Sequence, residues 1–174
     1  MLIELTKVIE RFQAEMAHVD EVVHVLLKGH LLIEEALTRI LEQHVFHREH
    51  LSEARLSFNQ RMFLARSLCL RKNNNGEWEL IAAINSLRNE LAHKLKSPER
   101  EKKLNKVKNL YFREAAGLEG IENIRKESDS TILYFACGHC SGFLAKFEGD
   151  AKALRQMVHT MDRQMNPDLP AFEL

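Results

Sequence analysis

The stretch from Val19 to His44 reads VDEVVHVLLKGHLLIEEALTRILEQH, and its spacing decides the fold class. Val19, Val22, Val23, Leu26 and Leu27 recur at steps of one, three and four residues, and Leu31, Leu32, Ala36, Leu37, Ile40 and Leu41 continue the series. This is the period of an amphipathic α-helix; a half-buried strand would alternate at every second residue. We read a helix over 19–44 and another before it over 2–17, carried by Leu5, Val8, Ile9 and Phe12. Gly29 lies inside the second helix. It costs about 1 kcal/mol against alanine there, so either another backbone packs closely at that point or the helix is locally loose.

Downstream, His44 to His50 is a polar break. Ser57 is placed to cap a helix whose buried stripe would be Phe58, Met62, Phe63, Ala65 and Leu68. Arg71-Lys72-Asn73-Asn74-Asn75-Gly76 is the clearest loop. Trp78, Leu80, Ile81, Ile84, Leu87 and Leu91 then predict a helix over about 77–95, with Trp78 as a core anchor. Ser97 and Pro98 suit the cap and first position of a helix that runs to about Ala116 and is ended by Gly117 and Gly120. Helical spacing resumes from Ile132 to about Arg163 with a candidate break at Gly149, and the tail with Pro167 and Pro170 reads as frayed. No alternating run is long enough to build a sheet. The expectation is an all-α bundle of about five to six helices with antiparallel neighbours, forming one domain over 1–174.

Bulk properties narrow the function classes. At 174 residues, 45% hydrophobic and 29% charged, with 7 Gly and 3 Pro, the chain has the composition of an ordinary globular domain. Its net charge is zero, so no global field draws nucleic acid or a membrane surface, and anion binding must come from a local patch. The start, Met1-Leu2-Ile3-Glu4-Leu5-Thr6-Lys7, does not have the pattern of a signal peptide, and no apolar run is long enough for a bilayer. The cysteines Cys69, Cys137 and Cys140 are too few and odd in number for a disulfide framework, so a reducing cytoplasm is expected.

The segment that carries chemistry is Arg88-Asn89-Glu90-Leu91-Ala92-His93. Asn89 and His93 are four apart and share a helix face, whereas Arg88 is rotated about 140° from His93. One copy is therefore an incomplete site, and two copies across a two-fold axis would bring two arginines and two histidines into one cleft. A histidine moves a proton near neutrality, and an arginine holds a phosphate and stabilises its developing charge. Those parts suffice to cleave RNA without a metal or other cofactor, leaving a 2′,3′-cyclic phosphate. From Lys94 to Lys108 there are seven Lys or Arg against two Glu. Lys94, Lys96, Arg100 and Lys103 are the candidates to follow an RNA backbone. The same stretch also fits a solvated helix face with ion pairs such as Glu99 with Lys103.

Three other groupings point to function less strongly. Cys137-Gly138-His139-Cys140 has the redox Cys-x-x-Cys spacing but sits in an apolar stretch that reads as a buried helix. His44, His47 and His50 are spaced by three, without an evident further ligand, so no metal site is assigned. His18, His24 and His30 recur every six residues, which rotates them around the helix and suggests no site.

Leu87-Arg88-Asn89-Glu90-Leu91-Ala92-His93 resembles the Arg-x4–6-His motif of the HEPN superfamily. Gly29-His30-Leu31-Leu32-Ile33-Glu34 resembles that superfamily's G-x-L-L-I-E stretch on an early long helix. Leu56 through Leu68 resembles the helix before its polar loop. The likeness spans about residues 20–100, and 117–174 reads as an extra helical segment that matches no pattern of the family. The resemblance implies a homodimeric helical bundle with the motifs of both protomers at the interface, acting as a metal-independent ribonuclease in toxin–antitoxin or other defence systems. It implies Arg88 as phosphate binder, His93 as acid/base and Asn89 as the orienting residue, with RNA as substrate and an antitoxin or regulatory protein as partner. Toxins controlled by tyrosine modification carry a tyrosine two residues after the histidine; Leu95 stands there in this chain. The alternative is a non-catalytic regulatory or protein-binding helical domain resembling the mannitol operon repressors.

Overall fold

The computed structural model describes residues 7, 9–10, 12–13, 19–69, 75–93 and 97–174. Most of the helix expected over 2–17, and most of the loop expected over 71–76, lie outside the described residues. The described residues form an all-α bundle: α1 (Glu21–His44), α2 (Arg48–Glu53), α3 (Phe58–Ser67), α4 (Glu77–His93), α5 (Arg100–Glu114), α6 (Ile121–Ile124) and α7 (Asp129–Met165). Five of these exceed two turns, and none is long and apolar enough to cross a membrane.

Local chemistry sets the helix ends. The Asp20 carboxylate accepts the Val23 N–H at 3.2 Å and starts α1. Ser57 caps α3, as the sequence predicts, and Gln60 completes a reciprocal capping box with it. The Ser128 hydroxyl accepts the Thr131 N–H and starts α7. Gly117 and Gly120, with φ of 90° and 79°, let the chain turn between α5 and α6 in a conformation that side chains disfavour.

The core is organised by α1 and α7, which share the most extensive helix–helix contact. They run parallel. Ser130 Oγ donates to Glu21 at their starts, Arg39 pairs with Glu148 at 3.0 Å further along, and Arg155 reaches the carbonyls of Gln43 and Val45 at the end of α1. Their closest approach is at Gly29, where an added Cβ would lie 2.4 Å from Cys137 Sγ and 2.7 Å from Cys137 Cβ. The glycine is there because a second helix occupies its side-chain space. By contrast α4 and α5 are antiparallel, tied by Glu79 to Arg113 at one end and Glu90 to Lys103 at the other. Trp78 on α4 is 1% exposed and meets the edges of Phe143 and Phe147 from α7.

Several expectations are corrected. The expected antiparallel packing fails for α1 and α7, because the whole chain between them serves as the connection. The helix expected to be capped by Ser97 begins later: Ser97 Oγ accepts the Glu99 N–H, Pro98 and Glu99 form a turn, and α5 starts at Arg100. Part of the break after His44 is itself helical, as α2. In α3 only Phe58, Met62 and Ala65 are buried; Phe63 and Leu68 are exposed, because position 63 lies about 100° around the helix from 62. No break occurs at Gly149, since about 1 kcal/mol of propensity is small beside the packing of a 37-residue helix. Nor is the tail frayed. Phe172 packs edge-on against Phe46 at 4.9 Å and His159 at 5.1 Å, while Arg155 donates to the Glu173 carbonyl.

The helix glycines make a test of sign. Gly149→Ala has open space around it and should stabilise by up to about 1 kcal/mol through helix propensity. Gly29→Ala gains the same propensity but must displace Cys137, and should destabilise by a net of about 1–3 kcal/mol. Urea unfolding of both variants measures this; a stabilising Gly29→Ala would contradict the close contact.

Candidate functional site

Three helices converge beside the Arg88 segment. His30 from α1 is 3% exposed and Asn85 from α4 is 6% exposed, polar groups in a mostly apolar interior. Burying such groups is costly unless they hydrogen-bond to one another, and they do. His30 Nε2 lies 3.0 Å from Asn85 Oδ1, and Asn85 Nδ2 donates to Asn59 Oδ1 of α3, also at 3.0 Å. With Asn85 Oδ1 toward the ring and Nδ2 toward Asn59, the His30–Asn85 bond is made by the imidazole tautomer that carries its proton on Nε2. The His30 ring stacks on Phe58 at 4.3 Å. Next to it Glu34 of α1 is ion-paired with Arg61 of α3. Burial, aided by the nearby positive charge of Arg88 and outweighing the Asn85 bond and Glu34, holds the His30 imidazole below its ordinary pKa.

The relay leads to a cleft of about 560 Å³ lined by Asn59, Met62, Phe63, Asn85, Asn89 and Lys103, with Ala82, Ser86 and Glu90 completing the wall. Asn85 and Asn89 are one turn apart on α4, so the polar stripe passes from the buried relay to the cleft; position 93 continues it by register. Arg88, half-buried, donates from Nη1 to Asn89 Oδ1 at 3.3 Å. The partner of Asn89 in the structure is thus the Arg88 guanidinium, whereas the sequence reading has it orient the imidazole or the substrate. The side chain of His93, and residues Lys94 and Lys96, lie outside the described residues.

The remaining basic candidates are engaged within the chain. Lys103 pairs with Glu90 at 2.7 Å, and Arg100 with Asp20 at 2.5 Å. Lys102, not Lys103, pairs with Glu99, and Lys108 pairs with Asp129. Glu90 also accepts the Ser97 hydroxyl, so the turn after α4 is tied to the cleft wall.

The other groupings resolve on geometry. Cys137 and Cys140 lie inside α7, more than two turns past its start at Asp129, buried at 5% and 0% exposure. Burial pushes the Cys137 thiol up to about 12 and Cys140 well above its ordinary range, the reverse of a reactive thiolate. His47 and His50 lie against Glu49 and Glu53 on the surface. Among the described residues no cluster of three or more His, Cys, Asp or Glu is placed to hold a metal ion. Sequence reasoning missed His30, Asn59 and Asn85. The available signals were Asn85, one turn before Asn89 among Ile81, Ile84 and Leu87, and His30 directly after the close-contact glycine.

Acid should weaken this centre. His30 and His44 are both held neutral by burial when folded and titrate near pH 6.5 when unfolded. Folding stability is therefore full above about pH 7 and declines as pH falls from about 6.5 toward the depressed folded values, because the unfolded chain binds the extra protons. Urea midpoints at pH 7.5 and 5.5 should differ in that direction, with a smaller difference in His30→Gln, which keeps a donor toward Asn85. A midpoint constant or rising toward pH 5.5 would contradict the assignment. Comparison with protein-family models, curated proteins and solved structures finds no match to this chain.

Proposed function

We propose that the protein is a metal-independent endoribonuclease, a toxin or defence effector of the cytoplasm, whose working site is composed from two copies of the chain. The observation that carries this is the Arg88 guanidinium, held beside an open cleft by Asn89, which lies one turn before position 93. The HEPN-like order of the Gly29–Glu34 stretch, the capped α3 and the Arg88–His93 segment supports it, and all three belong to one all-α bundle in which α1 and α3 meet α4 at the His30–Asn85–Asn59 relay.

In this mechanism Arg88 binds the scissile phosphate bidentately and stabilises the charge that builds on its oxygens. His93 takes the proton from the 2′-hydroxyl, the 2′-oxygen bonds to phosphorus, and the bond to the 5′-oxygen breaks. The second copy's histidine returns a proton to that leaving oxygen. The products are a 2′,3′-cyclic phosphate and a 5′-hydroxyl. Lys94, Lys96, Arg100 and Lys103 guide the backbone, with phosphate competing against Asp20 for Arg100 and against Glu90 for Lys103.

A second reading, a non-catalytic regulatory or protein-binding domain, is favoured by one observation: Arg100, Lys102, Lys103 and Lys108 are all in ion pairs within the chain, as on a structural helix face. The two separate in a cleavage assay on mixed RNA in EDTA, with product ends analysed. The ribonuclease produces 2′,3′-cyclic ends, and His93→Ala and Arg88→Ala each reduce the rate by about 100-fold or more. Absence of cleavage by folded protein favours the binding domain.

A further inference from the structure

The cleft beside Arg88 has a donor pattern that the cleavage step does not use. Asn85 is committed to the relay, with its oxygen facing His30 and one N–H donated to Asn59. Asn59 consequently offers Oδ1 to the relay and keeps Nδ2 for the cleft. Arg88 imposes the same choice on Asn89 by donating to its Oδ1. Neither Nδ2 has an acceptor among the described residues. Phe63 adds an apolar ring to the wall, 61% exposed. The lysine in the cleft, Lys103, is engaged with Glu90 and the Ser86 carbonyl.

This chemistry selects a class of ligand. Lys103 reaches a phosphate only by giving up its pair with Glu90, so the uncommitted polar groups of the cleft are neutral amides. Two amide donors beside an aromatic ring suit a flat, neutral ligand with acceptors on one edge. Guanine presents N7 and O6, both acceptors, and uracil presents O4, whereas adenine and cytosine place an amino group at the equivalent position. An amino group would meet an amide N–H₂ there, and the carboxylate in the cleft wall, Glu90, is already engaged by Lys103 and the Ser97 hydroxyl. Stacking on Phe63 would hold any base, so selectivity rests on the amides.

We propose that this cleft is a base-recognition subsite that takes a keto nucleobase, guanine or uracil, from single-stranded RNA and discriminates against adenine and cytosine. The proposal rests on the ribonuclease reading only in naming RNA as the source of the base; a free nucleotide carries the same edge.

The test is binding, not cleavage. Fluorescence polarisation is measured with labelled pentaadenylates carrying A, C, G or U at the centre, on the full chain bearing His93→Ala to prevent turnover. G and U should bind about tenfold more tightly than A and C. Asn59→Asp keeps an oxygen for Asn85 and replaces the outward donor with an acceptor, so the keto preference should fall to near unity or invert, even if the added charge weakens all four. Asn59→Ser, checked by thermal melting, serves if the Asp variant does not fold, and should also reduce the ratio. Phe63→Leu should weaken all four alike. Equal affinity for the four bases, or a keto preference unchanged by the Asn59 variants, overturns the proposal. Displacement of the pentamer by GMP or UMP at the pentamer's own affinity supports the keto subsite and assigns it to free nucleotides; failure to displace assigns it to RNA. Keto preference without cleavage by the wild type sinks the ribonuclease and leaves the subsite, and cleavage without preference does the reverse.

Discussion

The contact on which this structure depends is the one between Gly29 and Cys137. Without a side chain at 29, α7 lies directly against α1, and the two longest helices form a parallel spine. That contact fixes the rotation of α1 about its axis, and the next residue, His30, is thereby turned into the core toward α4. A buried imidazole requires a partner, and Asn85 supplies it; Asn85 in turn requires one, and Asn59 supplies that. Packing at one glycine thus propagates through three hydrogen-bonding side chains to the cleft wall.

The relay is a device of specification more than of stability. An apolar trio of similar volume would hold three helices together at least as well. What the polar trio adds is direction: a single tautomer of His30 determines which atom of Asn85, and hence of Asn59, faces the cleft. Arg88 has the corresponding effect on Asn89. The polar surface of the cleft is therefore set from inside the bundle, and Phe63, which sequence periodicity assigned to the core, contributes an exposed ring to it.

Much of the fold was legible because its signals are local. The Ser57 cap, the stop at Gly117 and Gly120, and the burial of Trp78 follow from neighbouring residues and were read from them. What was not legible depends on distant partners. The parallel course of α1 and α7 has no local signature, and the tail is ordered only because Arg155 and Phe46 wait for Phe172 and Glu173. Gly149 misled because propensity was weighed without the packing of the long helix around it. At the candidate site, a motif pointed to Arg88 and Asn89, but His30 was set aside because its spacing from His18 and His24 suggested nothing; its place in the relay comes from Asn85, 55 positions away.

The relay's central claim is the protonation state of one ring, and a long-range proton–nitrogen NMR correlation of the histidines at pH 7 reads it directly. The structure predicts a neutral His30 with its proton on Nε2 and a bare Nδ1. A His30 protonated on Nδ1 alone, or on both nitrogens, would reverse or remove the orientation of Asn85 and Asn59 and contradict the account.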